Sequence, residues 1–197
     1  VKVYREINNV WIKIGDLYQM ISGPYDFGSS LALSDDGNTL VIGAVGGAFV
    51  YRYDGTNWNQ LGPIITTYGT SCNIAVMNDN YMRVSITSDG NRIVVSDPLS
   101  CDNTPNGNLE GLVRVFDWDV NTNSWLQVGN NIGETFPNTV THNPQNHYHY
   151  GFSVSCNNDG TKIAVGAPST YTGTGNTALT SAGHVFTYHL VNSSWTQ

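Results

Sequence analysis

An internal repeat built around Asp-Gly is the feature that most constrains this fold. Three segments align on the glycine of that pair: FGSSLALSDDGNTLVIGA (27–44), NYMRVSITSDGNRIVVSD (80–97) and YGFSVSCNNDGTKIAVGA (150–167). Their apolar positions coincide and alternate with polar ones along the first run, which is the periodicity of a β-strand. The Asp-Gly pairs supply the positive φ angles that a tight hairpin turn needs. The sequence therefore predicts one antiparallel hairpin, strand A followed by strand B, three times.

A second pair of strands follows each of these hairpins. An aromatic-rich run, strand C, leads through a polar turn into a tryptophan on strand D. The copies are FVYRYDGTNWNQLG (49–62), VRVFDWDVNTNSWLQVG (113–129) and VFTYHLVNSSWTQ (185–197), and VKVYREINNVWIKIG (1–15) is a further copy ahead of them. No stretch keeps the apolar spacing of a helix for more than a turn. We expect an all-β chain of four-stranded antiparallel units, packed together by Trp11, Trp58, Trp125 and Trp195.

Repeated four-stranded units are typical of a β-propeller, whose blades are small twisted sheets packed face to face around an axis. Neighbouring blades bury both faces of a blade. The inner strands should therefore be apolar or small on both sides, as the mixture of Ser, Gly and Ala with Val, Ile and Leu indicates. A β-sandwich is the competing all-β architecture, because it too needs evenly spaced strands and turns. It does not explain the four-strand repetition.

Two of the copies carry a motif that resembles the FG-GAP repeat. Phe27-Gly28 is followed by Gly43-Ala44, and Tyr150-Gly151 by Gly166-Ala167-Pro168, whereas the middle copy has Asn80-Tyr81 and Ser96-Asp97 at these places. The motif is similar to the repeats of integrin α-subunit propellers and of microbial, algal and viral surface proteins. The resemblance implies a seven-bladed propeller, which acts in adhesion in some members and binds sugars in others.

Integrin-type FG-GAP blades also hold calcium in the A–B loop, through carboxylates and carbonyls around a hard cation. Asp36, Asp89 and Asp159 match the Asp that precedes the motif's glycine. The first and last ligands of the calcium motif are missing from every copy. We therefore expect hairpin turns without bound metal at these positions.

The strand order is C and D, then A to D three times. We predict one propeller segment over 1–197, with the outer strands of an incomplete blade in 1–19 and three blades in 27–62, 80–129 and 150–197. These three and a half blades close no ring, and propellers protect their edges by closing. We expect the remainder of a longer chain to complete the propeller; a neighbouring subunit that donates strands is the alternative.

Composition narrows the classes of partner and location. Only 12% of residues are charged, the net charge is −7, and Lys and Arg are scattered singly, so we expect no nucleic-acid partner. The longest apolar stretch, residues 40–51, is interrupted by glycines and too short to span a bilayer, so we expect no membrane insertion. Asn, Thr, Ser and Gly replace the missing charges, as in turn-rich proteins outside cells. We expect an extracellular, cell-surface or virion-surface location.

Loop length varies at one end of the predicted sheets. Antiparallel links alternate ends, so A–B and C–D turns share one rim while B–C and D–A connections share the other. The first set is short and uniform, whereas the second includes 62–80, 97–111, 130–150 and 168–183. Insertions in repeat proteins collect on the binding face, so we expect this rim to contact a protein or a glycan; insertions without function are the alternative. Aromatic rings beside amides and carboxylates make the candidate contacts Asp97, Asp102, Asn103, Asn106, Tyr148, Tyr150, Tyr171 and Asn176.

Metal and thiol chemistry is weakly indicated. His142, His147 and His149 share one predicted loop and are weak candidates for a zinc or copper site, since no acidic or cysteine ligand is nearby. Cys72 and Cys101 lie in predicted loops and are candidates for a disulfide in an oxidising compartment, whereas free thiols are the alternative. Cys156 is predicted to be a buried thiol, because it aligns with Leu33 and Ile86.

Catalysis is not indicated. No G-x-S-x-G or comparable nucleophile motif occurs, and the spacing of Asp97 and Asp102 in one loop does not establish a hydrolytic pair. We expect no cofactor and no enzymatic activity. The leading hypothesis is a non-catalytic module for protein–protein interaction, adhesion or structural assembly, and the alternative is a carbohydrate-binding, lectin-type propeller.

Overall fold

The computed structural model describes residues 1–18, 26–66, 81–98, 100, 111–133, 150–168 and 183–197. Regular structure in these ranges is entirely β-strand. They contain no helix that is long and apolar enough to cross a bilayer. The strands are β1 (Lys2–Ile7), β2 (Val10–Asp16), β3 (Ser30–Leu33), β4 (Thr39–Ala44), β5 (Gly47–Tyr53), β6 (Trp58–Gln60), β7 (Ile65–Thr66), β8 (Arg83–Ile86), β9 (Arg92–Asp97), β10 (Leu112–Asp119), β11 (Ser124–Gln127), β12 (Ser153–Cys156), β13 (Lys162–Ala167), β14 (His184–Val191) and β15 (Ser194–Thr196).

The strands form one hairpin and three antiparallel sheets in which chain neighbours are sheet neighbours. The first hairpin is β1-β2, the first sheet β3-β4-β5-β6 with β7 added to β5, the second sheet β8-β9-β10-β11, and the third sheet β12-β13-β14-β15. Each sheet therefore has the predicted strands A, B, C and D in that order, and the first hairpin has C and D. The prediction of an all-β chain with four-stranded antiparallel units is confirmed.

The register of strands A and B is the same in all three sheets. Leu31 lies opposite Ile42, Val84 opposite Val95, and Val154 opposite Val165. These are the pairs that the alignment on Asp-Gly places at equivalent positions. The hydrophobic pattern and the turn together fix the register, since a slip by one residue would turn every side chain to the other face.

The A–B turns differ from the prediction in one respect. Gly37, Gly90 and Gly160 have φ angles of 68°, 71° and 65°, whereas the aspartates before them are not at positive φ. In the first sheet Gly37 N donates to Ser34 O (2.9 Å) and Ser34 N donates to Thr39 O (2.9 Å). The loop is therefore a four-residue turn that ends in a left-handed glycine, so only the glycine needs positive φ.

A short pairing that the sequence did not indicate follows strand D. Beyond the first sheet's strand D, β7 returns to β5 and places Ile65 opposite Ala48. In the second sheet, the equivalent Ile132 bridges to Val113. Both isoleucines are buried, so this pairing covers the start of strand C with an apolar side chain.

Tryptophans on strand D link each sheet to the one before it. The Trp125 indole Nε1 donates to Leu61 O, and the Trp195 indole Nε1 donates to Val128 O, each at 2.9 Å. Trp125 and Trp195 are buried, and Trp58 is half-buried against the first hairpin, where its Nε1 finds no acceptor among the described residues. The predicted packing role between neighbouring units is confirmed for these three tryptophans, whereas Trp11, which carries the same prediction, is 68% exposed.

Glycines at the ends of the D strands make room for these indoles. A Cβ atom at Gly129 would lie 2.9 Å from Trp195 Cδ1, and one at Gly15 would lie 2.6 Å from Trp58 Cδ1. Any side chain at these glycines would push the indole away from the preceding sheet. The pairing of Trp with Gly therefore sets the distance between sheets.

Burial of the inner strands depends on how many neighbours a sheet has. β4 is buried along its whole length, whereas β13 of the third sheet is buried only at alternate residues. Val185 is 74% exposed although its equivalents Ala48 and Val113 are fully buried. Among the described residues, the third sheet packs against a neighbouring sheet on one face only.

Removal of a stacking indole should cost stability. We expect Trp125→Ala to lower the free energy of unfolding by about 3–5 kcal/mol, because the cavity opens between two sheets. Trp11 occupies the same repeat position and is 68% exposed, so Trp11→Ala should change stability by less than about 0.5 kcal/mol. Urea denaturation followed by circular dichroism measures both values. Equal losses in the two variants would contradict stacking between sheets as the source of stability.

Candidate functional site

The described ends of the B–C and D–A connections meet at one end of the stack, which we call the variable rim. At the first sheet, Val45 after strand B forms a bridge with Tyr81, which precedes strand A of the second sheet. Met82 N donates to Ala44 O (3.2 Å) in the same place. The B–C connection of the first sheet and the D–A connection into the second sheet therefore meet at backbone pairing between these two sheets.

Asp97 ends β9 at the variable rim, but it does not lie on the surface. The residue is 2% exposed. Ser100 N donates to Asp97 O (3.0 Å) and Gly111 N donates to Ser100 O (3.3 Å), so the two ends of this connection are held together. Asp97 therefore belongs to the base of the rim, which corrects its prediction as a direct partner contact.

Tyr150 is likewise part of the core and not of the rim surface. Its side chain is fully buried, its hydroxyl donates to the Tyr188 hydroxyl (2.8 Å), and its ring centroid lies 5.4 Å from that of Phe186. Nearby, the Ser96 hydroxyl donates to Gly151 O. Tyr150 fills the space where the second and third sheets meet, so its prediction as an accessible contact residue is wrong. The signal in the sequence was its alignment with Phe27 of the FG motif, an apolar residue that packs against the buried cluster of the first sheet.

The other candidates fall on segments that the structure does not describe. For the variable rim these are Asp102, Asn103, Asn106, Tyr148, Tyr171 and Asn176. The weak metal candidates His142, His147 and His149 also lie outside the described residues, as do Cys72 and Cys101. Their roles stay predictions.

The opposite end of the stack, the uniform rim, consists of the A–B and C–D turns. Asp36 Oδ1 accepts hydrogen bonds from the Ser34 hydroxyl (2.6 Å) and from Asn38 N (2.9 Å). These two bonds hold the pKa of the Asp36 carboxyl below its usual value. In the third sheet, bonds from the Thr161 side chain and backbone lower the pKa of Asp159 in the same way. The aspartates therefore close their own turns, as predicted.

Leu40, Ile93 and Ile163 occupy the position where the calcium motif has its last carboxylate. All three side chains are buried in the clusters between sheets. Within the described ranges, no three His, Cys, Asp or Glu residues come together in a way that would hold a metal ion. These turns present structural hydrogen bonds and no ligand set.

Backbone hydrogen bonds join the A–B turns of successive sheets. Asp35 N donates to Ser88 O and Ser88 N donates to Asn158 O, each at 3.1 Å, and the three residues are equivalent in the repeat. Arginines strengthen these links, because Arg52 Nη2 donates to Gly90 O (3.0 Å) and Arg92 Nη1 donates to Gly160 O (3.1 Å). The uniform rim is therefore bonded from one turn to the next.

A groove of about 490 Å³ lies at the uniform rim between the second and third sheets. Arg92 pairs with Asp117 through Nε–Oδ1 (2.6 Å) and Nη2–Oδ2 (2.8 Å), a contact that raises the pKa of Arg92. Trp118 and Asn158 also line the groove. The guanidinium is held by protein acceptors, so the groove presents neutral polar groups, carboxylates and an indole to solvent.

Cys156 on β12 faces the neighbouring strand β8. Its Sγ lies 3.3 Å from the Ser85 hydroxyl oxygen, and burial raises the pKa of its thiol. A raised thiol pKa leaves little thiolate at neutral pH, which is the opposite of what a nucleophile needs. The side chain is half-buried, so the prediction of a buried thiol is confirmed only in part.

In comparisons with known proteins, no family model matches this sequence and no curated protein is significantly similar to it. The FG-GAP resemblance therefore remains a prediction from the motif residues.

The Asp36 hydrogen bonds predict a specific acid dependence of stability. Because the folded pKa lies below the unfolded value of about 3.9, this contribution is complete above that pH and is lost as the pH falls through the folded pKa. Asp36→Asn should therefore make the free energy of unfolding fall less steeply between about pH 4 and pH 2. The matched control is Asp35→Asn, since the Asp35 carboxylate accepts no hydrogen bond within the described turn. Chemical denaturation across this pH range measures the slopes, and identical slopes for Asp36→Asn and the unaltered chain would contradict the assignment.

Proposed function

We propose that this chain is a segment of a non-catalytic β-propeller of the FG-GAP type, which works in protein–protein interaction, adhesion or structural assembly. The proposal takes each sheet as a blade, so that the segment holds about three and a half blades of a seven-bladed ring. Support comes from the way the hairpin and the sheets follow one another, with the same Trp-on-Gly contact at each junction. Its low charge and turn-rich composition favour an extracellular, cell-surface or virion-surface location.

The contrast between the two rims is the observation that carries this proposal. The uniform rim uses its carboxylates, amides and guanidinium groups to bond its own turns. The variable rim anchors connections of very different length on paired backbone and buried side chains. A rigid base with unequal loops is the arrangement that repeat proteins use to contact a partner.

Photo-crosslinking tests which rim meets a partner. A benzophenone amino acid is placed at Tyr171, in the connection 169–182 of the variable rim, and the chain is expressed in its source organism and irradiated. The matched control carries the same amino acid at Val120, which is 77% exposed in the C–D turn of the second sheet, at the uniform rim. We expect adducts from Tyr171 and none from Val120, with mass spectrometry identifying a polypeptide partner. Adducts from Val120 alone would contradict the proposal.

Carbohydrate binding is the second candidate, and the groove at the uniform rim favours it. An indole beside carboxylate and amide groups is suited to the apolar face and the hydroxyls of a sugar ring. Trp118 and Asn158 line this groove together with Asp89 and Asp159. A glycan array tests the idea directly: a defined sugar that binds the chain and loses at least about tenfold in affinity with Asn158→Ala would support a lectin. No binding to any sugar would remove this candidate.

A further inference from the structure

The entrance to strand A of the second sheet departs from the repeat. At two of its positions the first and third copies have glycine and then serine: Gly28 and Ser30, and Gly151 and Ser153. The second copy has Tyr81 and Arg83 at these places. A tyrosine and an arginine therefore occupy positions that the repeat fills with small residues, so the packing of the repeat does not require them.

Arg83 on β8 reaches the third sheet at the variable rim. Its Nε donates to Phe152 O (3.1 Å), and its guanidinium carbon lies 5.1 Å from the centroid of the Phe152 ring and 5.7 Å from that of Tyr81. Contacts of this length between a guanidinium and a ring are attractive. The Tyr81 hydroxyl in turn donates to Asp26 Oδ2 (2.8 Å), just before the first sheet. Groups from three successive sheets therefore hold the guanidinium in place.

The terminal nitrogens of Arg83 differ from those of the other arginines. Each of the other four donates through a terminal nitrogen to a protein acceptor: Arg5 to Asn38, Arg52 to Gly90, Arg92 to Gly160 and Arg114 to Thr66. Among the described residues, Arg83 Nη1 and Nη2 donate to no acceptor and pair with no carboxylate. Two parallel N–H groups are thus left over, and such a pair binds both oxygens of a carboxylate.

We propose that Arg83, Tyr81 and Phe152 form a carboxylate-binding site, the arginine site, and that its occupant is an Asp or Glu side chain of a polypeptide partner. The two terminal nitrogens of Arg83 bind the carboxylate oxygens. The Phe152 side chain, which is 47% exposed, contacts an apolar residue next to the acidic one. This inference rests on the proposed function, since it names the chemistry with which a protein partner meets the variable rim.

Charge and surroundings favour one carboxylate over other anions. The net charge of −7 repels polyanions over a distance, whereas a single carboxylate meets the fixed guanidinium at short range. Arginine and aromatic side chains are also enriched among the residues that contribute most to binding between proteins. An acidic residue beside an apolar one in a polypeptide satisfies both the guanidinium and the half-exposed ring of Phe152.

Titration with a short peptide tests the arginine site on the full chain. The probe is N-acetyl-Phe-Glu-amide, and N-acetyl-Phe-Gln-amide is the control that lacks the carboxylate. Glucuronate and inorganic phosphate serve as other sources of negative charge. NMR of the chain with isotope-labelled arginine follows the Nε–H signals, and the signal that is missing from Arg83→Gln belongs to Arg83. The matched control variant is Lys162→Gln, which removes a positive charge from an exposed residue of β13.

We expect the Phe-Glu probe to shift the Arg83 signal saturably and the Phe-Gln control to bind at least about tenfold more weakly. Signals of the probe itself measure affinity for the variants. Arg83→Lys, which keeps the charge but not the fork, should weaken binding at least about fivefold, and Lys162→Gln less than about twofold. An Arg83 signal that does not move, equal binding of the two peptides, or tighter binding of glucuronate or phosphate overturns the proposal.

Photo-crosslinking from Tyr171 separates failure of this inference from failure of the proposed function. Adducts that persist in Lys162→Gln but fall at least about tenfold in Arg83→Gln support the arginine site. Adducts that are unchanged in Arg83→Gln overturn the inference and leave the contact at the variable rim standing. If the unaltered chain gives no adducts, the proposed function fails, and the peptide titration alone decides whether Arg83 binds a carboxylate.

Discussion

The contact between a tryptophan and the glycine of the preceding D strand is the constraint on which the rest of the structure depends. It sets the separation of the sheets, and that separation decides whether Val, Ile and Leu on the inner strands touch across the interface. Where the contact is made from both sides, as around β4, the strand is buried along its whole length. Where no described sheet packs against a face, the same residue types are exposed, as Val185 and Trp11 show. The side chains of one repeat are therefore buried by the repeats next to it, and a repeat alone would leave them exposed.

Strand order, register and the packing role of the tryptophans could all be predicted from the sequence. They follow from local signals: alternation along β3, Asp-Gly at the turn, and an indole at one repeat position. The return of β7 to β5 could not be predicted, because it depends on the distance between the end of strand D and the start of strand C. The prediction of a positive φ angle at Asp36 was also wrong. Asp-Gly occurs in both two-residue and four-residue turns, and only the hydrogen bond that closes the turn distinguishes them.

Prediction of the candidate site was less successful, for a physical reason. Asp97 and Tyr150 lie next to variable loops in the sequence, and proximity to loops was taken as exposure. In the fold, Asp97 is buried at the end of β9, and Tyr150 is buried where the second and third sheets meet, against Tyr188 and Phe186. The first or last residue of a connection adjoins a strand that is packed against a neighbouring sheet, so it can be buried although it stands next to a loop in the sequence. The alignment of Tyr150 with Phe27 carried this information, whereas its chemistry as a hydroxylated aromatic pointed the other way.

The guanidinium links of the uniform rim show that the repeats are alike in shape but not interchangeable. In the first sheet Thr39 on strand B faces Arg52 on strand C, whereas in the second sheet Arg92 on strand B faces Asp117 on strand C. In both arrangements one arginine donates a hydrogen bond to the A–B turn of the next sheet, from strand C in the first sheet and from strand B in the second. If the A–B hairpin of the second sheet replaced that of the first, Arg92 would stand opposite Arg52 and two positive charges would compete for one carbonyl. The reverse exchange would place Thr39 opposite Asp117 and supply no guanidinium at all. A duplication or exchange of repeats in such a chain must therefore move strand B together with its own strand C.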